Sequence, residues 1–304
     1  MKTVRHFKSL LDINKKEFLR IIERAIALKK DSQNNVHHNI LHNKTMAMIF
    51  KKNSTRTRVA FETAMNKMGG HAIFLSSDTT QLGRGENISD TGKVLSGMVD
   101  IILIRTHDHN EVVELAKHSS APVINGLTVK FHPCQLLADM QTFYEEKGAF
   151  EDKKIAWVGD GCNMCNSYIN AAKLLNFQLK ISTPSGFEPD QKTLSLASDN
   201  IELCDLPGKA VEDCDLVTTD VWTSMGNEND TEKRKQLFKG FQINQHLFDK
   251  AKPDAIFMHC LPAHRGEEVE SDVIDGTRSR VWQQAQNRLF TSQALIEFLL
   301  TESK

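Results

Sequence analysis

Five consecutive residues, Ser54-Thr55-Arg56-Thr57-Arg58, combine three hydroxyl groups with two guanidinium groups. They follow the apolar run Met46 to Phe50, which is typical of a buried strand, and they precede a helical pattern from Val59 to Met68. Ser54 or Thr55 is therefore predicted to be the helix N-cap. A helix start presents unpaired N–H groups to an anion, and arginine binds phosphate oxygens in pairs. The segment predicts a phosphate site, with a capped helix bearing solvated arginines as the alternative.

Other residues capable of chemistry also follow short apolar runs. They are Arg105, Asn163, Asp220 and the pair His259-Cys260. Open parallel sheets bind their ligands at the carboxyl ends of the strands, so these positions predict a ligand-binding edge in each half of the chain. The pair Cys162-x-x-Cys165 has no second pair of cysteines or histidines nearby, and no metal site is predicted from it.

The elements that must position these residues alternate between short apolar runs and amphipathic stretches, the pattern of parallel sheets with crossover helices. We predict an α/β protein with two doubly wound lobes, each a parallel sheet flanked by helices, joined by two interdomain helices. The first lobe comprises residues 1–148, completed by a C-terminal helix over 281–304, and the second comprises residues 149–280. Pro133 is predicted in the first turn of one connecting helix, and Asp12 as the N-cap of the first helix.

Composition narrows the classes of partner and compartment. The chain has 304 residues, 25% of them charged and 40% apolar, and a formal net charge of -1, so no nucleic-acid or membrane partner is predicted. No apolar run approaches the roughly 18 residues of a membrane span, and no signal peptide is recognisable. Six dispersed cysteines favour a reducing, cytoplasmic compartment.

Four motifs occur in order along the chain and are specific when taken together. They are Ser54-Thr55-Arg56-Thr57-Arg58 preceded by Phe50, His132-Pro133-Cys134-Gln135, Asp220-Val221-Trp222-Thr223-Ser224-Met225-Gly226, and His259-Cys260-Leu261-Pro262. With these motifs the chain resembles the ornithine carbamoyltransferases over essentially its whole length. The resemblance implies that carbamoyl phosphate and L-ornithine are converted to citrulline and phosphate, in arginine biosynthesis, without a cofactor or metal. It also implies a homotrimer with active sites at subunit boundaries.

The resemblance further implies roles for individual residues. The carbamoyl-phosphate contacts would be Ser54, Thr55, Arg56, Thr57, Gln81, Arg105, His132, Pro133, Cys134, Gln135, Cys260, Leu261 and Arg288, and Gln81 would serve a neighbouring subunit's site. The ornithine contacts would be Asn163, Asp220, Ser224 and Met225. The candidate catalytic residues are Arg105, His132, Gln135 and Cys260. Departures from the family pattern at Asn53, Val129, Cys162 and Gln286 flank these positions.

The chemistry itself needs hydrogen-bond donors at the carbonyl oxygen, where negative charge develops, and Arg105, His132 and Thr55 are the candidates. Cys260 is assigned to positioning the amine rather than to covalent catalysis. Adjacent strand residues point to opposite faces, so the side chains of His259 and Cys260 are expected to diverge. Arg234 and Lys235, after the third motif, are expected to be solvated.

Several alternatives remain open at this stage. A putrescine carbamoyltransferase would leave Asn163 and Asp220 without partners, whereas a catabolic ornithine carbamoyltransferase would use the same groups. An aspartate-binding transferase would want basic residues between Asp220 and Thr231, and this stretch has none. Val158-Gly159-Asp160-Gly161 hints at a dinucleotide module, but the later glycine of that pattern is missing.

Overall fold

The computed structural model describes residues 4–76, 85–223 and 231–301. The chain forms two compact units. Unit 1 consists of Met1–Gln141 together with Gln286–Lys304, and unit 2 consists of Thr142–Ala285. Both are α/β structures built on parallel sheets, as the sequence predicts. The assignment of a separate substrate to each lobe stays a prediction.

Unit 1 carries a four-stranded parallel sheet with the order β2-β1-β3-β4. Its elements are α1 (Lys15–Gln33), β1 (Thr45–Phe50), α2 (Arg56–Lys67), β2 (His71–Ser76), α3 (Ile88–Ser96), β3 (Ile101–Arg105), α4 (His109–His118) and β4 (Val123–Leu127). Strands β1 and β3 are neighbours, although the chain forms β2 between them. The connections after β1 and β3 therefore leave in opposite directions, which opens a crevice at their carboxyl ends.

Unit 2 carries a five-stranded parallel sheet with the order β7-β6-β5-β8-β9. Its elements are β5 (Lys154–Val158), α6 (Asn163–Leu175), β6 (Gln178–Ser182), α7 (Gln191–Leu196), β7 (Ile201–Leu203), α8 (Pro207–Val211), β8 (Leu216–Thr219), α9 (Thr231–Phe238), α10 (Gln245–Phe248), β9 (Ile256–His259) and α11 (Ser271–Ile274). Here β5 and β8 are the neighbours at which the strand order reverses. A second crevice is expected at the carboxyl ends of these two strands.

Two helices carry the chain across the boundary between the units. They are α5 (Pro133–Lys147) and α12 (Val281–Thr301), and both match the predicted connecting helices. Pro133 is the first residue of α5, where its missing N–H costs nothing.

Burial explains why the central strands read as continuous apolar runs in the sequence. All five residues of β3 are buried, and so are five of the six residues of β1. Strands covered by helices on both faces need apolar side chains at every position. Among the described residues, no helix is both long enough and apolar enough to cross a membrane.

Two local features differ from the sequence prediction. Asn14, not Asp12, is the N-cap of α1, because the Asn14 side chain accepts the Glu17 N–H while the Glu17 carboxylate accepts the Asn14 N–H. Asp12 instead ends a 3-10 turn over Leu10–Asp12. The edge strand β7 gave no sequence signal because it is short and its residues Glu202 and Leu203 are exposed.

Candidate active site

The first motif lies where the sequence predicts it, between the end of β1 and the start of α2. Thr55 is the N-cap of α2, and no side-chain capping bond forms there among the described residues. The first-turn N–H groups of α2 therefore face the carboxyl edge of the sheet without a side-chain cap. Arg58 points elsewhere: its Nε donates to Glu62 at 3.3 Å, and its guanidinium carbon lies 3.7 Å from the centroid of the Phe74 ring.

Two buried guanidinium groups meet at the hydroxyl of Thr57. Arg288 Nη2 donates to Thr57 Oγ1 at 2.6 Å, and Arg105 Nη1 donates to the same oxygen at 3.4 Å. Arg288 comes from α12 and Arg105 from the end of β3, while Thr57 itself is fully buried in α2. A hydroxyl oxygen has two lone pairs and one proton, so both lone pairs are used and the proton remains for a ligand. Thr57 thus orients two arginines and can contact the same ligand.

His132 lies at the N-terminus of α5 and is 5% exposed. Burial lowers the pKa of His132 well below its ordinary value of 6.5, and the charges of Arg288, Arg105 and Arg56 lower it further. The imidazole is therefore neutral at physiological pH and offers one N–H donor. Three guanidinium groups therefore lie close enough to His132 to act on its charge, and this local concentration of positive charge favours an anionic ligand.

Gln135 is held in one orientation by a residue that the sequence did not reveal. Its Nε2 donates to Asp139 at 2.8 Å, and both side chains are buried. Its Oε1 is buried with no hydrogen-bond partner among the described residues, so it can accept from a ligand. Cys134 is differently engaged, because its thiol donates to the Asn125 carbonyl at 3.3 Å and burial raises the pKa of that thiol to about 12.

In unit 2, Asp220 lies directly after β8 and is surrounded by thiols. The Cys260 thiol donates to Asp220 Oδ1 at 3.1 Å, and the Cys162 thiol donates to Oδ2 at 3.6 Å. Burial raises the pKa of Cys162 well above its ordinary value, and the neighbouring carboxylates raise it further. Asn163 is the first residue of α6, after β5, so it belongs to the same crevice edge as Asp220.

His259 and Cys260 do not diverge as predicted. One ring nitrogen of His259, the Cys260 sulfur and an Asp220 oxygen all lie within 4.8 Å of one another. Strand β9 ends at His259, so the alternation of a strand no longer governs Cys260. At the next residue, Leu261, the backbone has φ of 56°, a region that residues other than glycine rarely adopt.

This change does not make Cys260 a nucleophile. A reactive thiolate needs an electropositive setting, and the side chain that accepts from Cys260 is a carboxylate. His259 Nδ1 accepts the Leu261 N–H at 2.9 Å, and its Nε2 lies 3.2 Å from buried Glu268. His259 Nδ1 therefore holds the segment after β9, while its Nε2 lies beside Glu268 without a hydrogen bond among the described residues.

Within the part of the chain that the structure describes, two groups of side chains have ligand atoms close enough to hold a metal. They are Asp220, His259 and Cys260, and His264, Glu267 and Glu268. In the first group His259 would have to give up Leu261 or Glu268 before it could ligate a metal. In the second group His264 is exposed, and such acidic surface groups are common without an ion.

The remaining predicted residues fall into two sets. Gln81, Ser224 and Met225 lie outside the described residues. Ser54, Thr55, Arg56, Pro133 and Leu261 lie at the carboxyl edges of their sheets, next to the residues above. Their ligand contacts stay predictions.

Sequence reasoning missed two supporting residues and misjudged one more. Asp139 and Glu268 hold Gln135 and His259, and the i, i+4 spacing of Gln135 and Asp139 on a helix was an available signal. Arg234 is not solvated as predicted, with 13% of its side chain exposed, whereas 36% of the Lys235 side chain is exposed, in agreement with the prediction. Arg234 pairs with Asp160 at 2.5 Å, and Lys235 pairs with Glu267 at 2.8 Å.

The geometry of unit 1 predicts how it binds inorganic phosphate. Replacing Arg288 by Gln should weaken phosphate binding about 10- to 100-fold, since a hydrogen bond to a charged group contributes ~1.5–3 kcal/mol. Isothermal titration calorimetry measures the affinity. The matched control is Arg58→Gln, which removes an equal charge from a side chain engaged by Glu62 and Phe74 and should leave the affinity unchanged.

A wild-type affinity in Arg288→Gln would contradict the assignment of this cluster to phosphate. Thr57→Val provides a second variant that keeps both arginines and loses the hydroxyl on which they meet. It should also weaken binding, and a thermal melt of each variant confirms that it is folded.

Comparisons with known proteins match both units of the chain. Residues 5–145 match the carbamoyl-P binding domain of aspartate/ornithine carbamoyltransferase, and residues 151–299 match its Asp/Orn binding domain. The chain is 50% identical over 301 residues to the ornithine carbamoyltransferase of Hydrogenovibrio crunogenus, covering 99% of this chain and 100% of the relative. It is 51% identical over 296 residues to that of Pseudomonas syringae, covering 97% of each chain.

Solved structures agree with this result. The ornithine carbamoyltransferase from Pyrococcus furiosus superposes with a TM-score of 0.94 at 46% identity, covering 99% of both chains. The anabolic ornithine carbamoyltransferase from Campylobacter jejuni gives a TM-score of 0.91 at 38% identity, covering 98% of this chain and 100% of that one. With both halves matched and full-length relatives about half identical, the chain belongs to the aspartate/ornithine carbamoyltransferase family.

Proposed function

We propose that this enzyme transfers the carbamoyl group of carbamoyl phosphate to the δ-amine of L-ornithine, which gives L-citrulline and phosphate. The observation that carries the proposal is the full-length match, at about half identity, to relatives named ornithine carbamoyltransferase. The charges of the two sites support the proposal. The guanidinium groups of unit 1 suit an anionic phosphate, and the Asp220 carboxylate of unit 2 suits an ammonium group.

In unit 1 the phosphoryl end of carbamoyl phosphate is bound by Arg56, Arg105, Arg288, Thr57 and the first turn of α2. Guanidinium groups suit phosphate oxygens because their N–H groups form a rigid planar fork. The common contact of Arg105 and Arg288 with Thr57 fixes two of these forks before the substrate arrives. A preformed site loses less side-chain entropy on binding than a site that must be ordered.

The carbamoyl end is bound and activated by His132, Gln135 and Arg105. Neutral His132 and Arg105 donate to the carbonyl oxygen, where negative charge develops as the amine attacks. Each such donor typically contributes ~2.7–4 kcal/mol to stabilising the transition state. Gln135, whose Nε2 is held by Asp139, turns its Oε1 toward the carbamoyl N–H.

In unit 2 the Asp220 carboxylate binds the α-ammonium of ornithine, with Asn163 beside it. Cys260 contributes as a protonated thiol that orients Asp220 and the attacking amine, and no covalent enzyme intermediate forms. The nitrogen attacks the carbonyl carbon, phosphate leaves, and the proton lost by the amine passes to the departing phosphate. Ser224 and Met225 are proposed to complete this subsite, and Gln81 to complete the carbamoyl-phosphate site of a neighbouring subunit.

The charge of Asp220 also selects among amine substrates. Aspartate carries a second carboxylate, which Asp220 would repel, so the aspartate branch of the family fits this chain poorly. Putrescine lacks both the α-ammonium and the carboxylate, so it cannot use Asp220 or Asn163. We propose a biosynthetic direction, in line with the anabolic relative from Campylobacter jejuni. The cytoplasm is the proposed compartment, since all six cysteines are free thiols.

The direct test is citrulline formation by the purified protein from carbamoyl phosphate and ornithine, with putrescine and aspartate as competing amines. Ornithine should be the preferred substrate. Arg56→Ala should lower kcat/KM by about 100-fold or more, because a charge-assisted phosphate contact is lost. An inactive wild type, or one that prefers putrescine, would contradict the proposed function. Full activity in Arg56→Ala would contradict only the assignment of Arg56 to the phosphate.

Activity should rise with pH because ornithine attacks as a neutral amine. Its δ-ammonium resembles lysine, with a pKa of ~10.4, so the neutral fraction grows about tenfold per pH unit below that value. The pKa of His132 lies well below 6.5, so His132 does not titrate in this range. We expect kcat/KM for ornithine to increase from pH 7 to pH 9. A flat profile would count against amine deprotonation as the controlling step.

We propose a homotrimer as the assembly. Unit 1 supports this, because it leaves several apolar side chains exposed, among them Met98 at 76%, Val59 at 57% and Val94 at 51%. Apolar side chains at such exposure are common at subunit interfaces. Mass photometry should give a species of three times the chain mass. Met98→Lys is expected to weaken assembly, and a monomeric wild type would reject the proposal.

A further inference from the structure

Arg234, on α9, makes more contacts than its place after the third motif suggests. Its Nε donates to the carbonyl oxygen of Trp222 at 2.7 Å, and its Nη2 pairs with Asp160 Oδ2 at 2.5 Å. Its guanidinium carbon lies 4.6 Å from the Phe187 ring centroid and 5.2 Å from that of Phe238. The side chains of Arg234 and Asp160 are only 13% and 15% exposed.

These partners come from the carboxyl ends of the two central strands of unit 2. Asp160 follows β5, and Trp222 follows β8. Asp160 is itself held, because its carbonyl oxygen accepts from Trp157 Nε1 at 3.0 Å. Trp222 is 4% exposed, and its ring lies 5.9 Å from that of Phe238. Arg234 therefore connects Trp222, after β8, to Asp160, after β5.

Asp220 lies in the segment from Thr219 to Trp222, two residues before the contact of Trp222 with Arg234. At the other end of the segment, Thr219 Oγ1 donates to the Val158 carbonyl at 2.5 Å. Between these two anchors the Val221 N–H donates to Asp220 Oδ1 at 2.8 Å, which couples the orientation of the carboxylate to the backbone. A backbone held at both ends fixes the direction of the carboxylate between them.

We propose that Arg234 is a positioning residue for the amino-acid subsite, acting through Trp222 and Asp160 to hold the Asp220 carboxylate toward the α-ammonium of the substrate. This inference rests on the proposed function, which assigns Asp220 to that ammonium. Arg234 does not touch the substrate. It acts on affinity for the amino acid and not on the carbamoyl-phosphate site, which lies in unit 1.

Charge and burial support a specific interaction. Burial raises the pKa of Asp160 to about 6, although Arg234 opposes the rise, and Asp220 adds to it. Two buried charges of opposite sign depend on each other, because removal of either leaves the other uncompensated. Arg234 also offsets the charge of Asp160 near the subsite, so that Asp220 is the carboxylate left for the ligand.

The chain offers a matched control in the next residue. Lys235 carries the same charge on the same helix, but it pairs with Glu267 at 2.8 Å, and among the described residues no hydrogen bond or ion pair joins it to Asp160 or Trp222. Lys235→Gln removes one positive charge from α9 and leaves the contacts of Arg234 with Trp222 and Asp160 in place. A general effect of charge or of helix stability would appear in both variants, whereas positioning appears only in Arg234 variants.

The test compares Arg234→Gln, Asp160→Asn, the double variant and Lys235→Gln in steady-state citrulline assays. Arg234→Gln and Asp160→Asn should each raise the KM for ornithine about tenfold or more, with the KM for carbamoyl phosphate unchanged. The double variant should be little worse than either single one, because both break the same interaction. Arg234→Lys keeps the charge but loses the planar fork and should fall between wild type and Arg234→Gln.

A second measurement does not depend on the substrate. Hydrogen–deuterium exchange of a peptide ending at Thr223 should be faster in Arg234→Gln than in wild type and unchanged in Lys235→Gln. If wild type makes no citrulline, the proposed function fails, and exchange still decides whether Arg234 holds the segment. An unchanged ornithine KM in Arg234→Gln, or equal effects in Arg234→Gln and Lys235→Gln, would overturn the inference.

Discussion

The meeting of two buried guanidinium groups at one hydroxyl is the interaction on which the proposed carbamoyl-phosphate site depends. Arg105 and Arg288 are far apart in the sequence, and like charges brought together in a buried region repel each other. Their shared acceptor, Thr57, gives both a defined geometry, and the dianionic ligand that we propose for this site would compensate the charge. Two like charges held together in a buried region are costly to fold, and such a cost is characteristic of functional sites.

The site in unit 2 carries a charge of the opposite sign. Its central group is a carboxylate, Asp220, and the groups that contact it are neutral thiols and a backbone N–H. Neutral donors orient a carboxylate without cancelling its charge, so the full charge remains for an ammonium ligand. The guanidinium of Arg234, in the same unit, is paired with Asp160 instead. The charged groups at the two crevices thus have opposite signs, positive in unit 1 and negative in unit 2.

The sheets explain why these groups converge. In each unit the two strands at which the order reverses carry the polar residues at their carboxyl ends, Thr57 and Arg105 beyond β1 and β3, and Asn163 and Asp220 beyond β5 and β8. The backbone connections leave these ends in opposite directions, so side chains there are not covered by a crossover helix. The strand order therefore determines which of the polar residues that follow the apolar runs come together.

The sequence by itself determined the α/β class, two parallel sheets, two connecting helices and the strand ends that carry the reactive groups. These features follow from local hydrophobic periodicity and from motifs that are contiguous in the chain. Only the tertiary structure decided which groups hold the reactive ones. The structure shows that Asp139 orients Gln135 and that Arg234, predicted to be solvated, pairs with Asp160. The side chains of His259 and Cys260 were predicted to diverge, but strand β9 ends at His259 and the prediction was wrong. The contacts of Arg234 join segments distant in sequence, and those of Cys260 depend on where a strand ends, so local periodicity predicts neither. The contact between Gln135 and Asp139 lies within one helix, and its i, i+4 spacing was a usable signal.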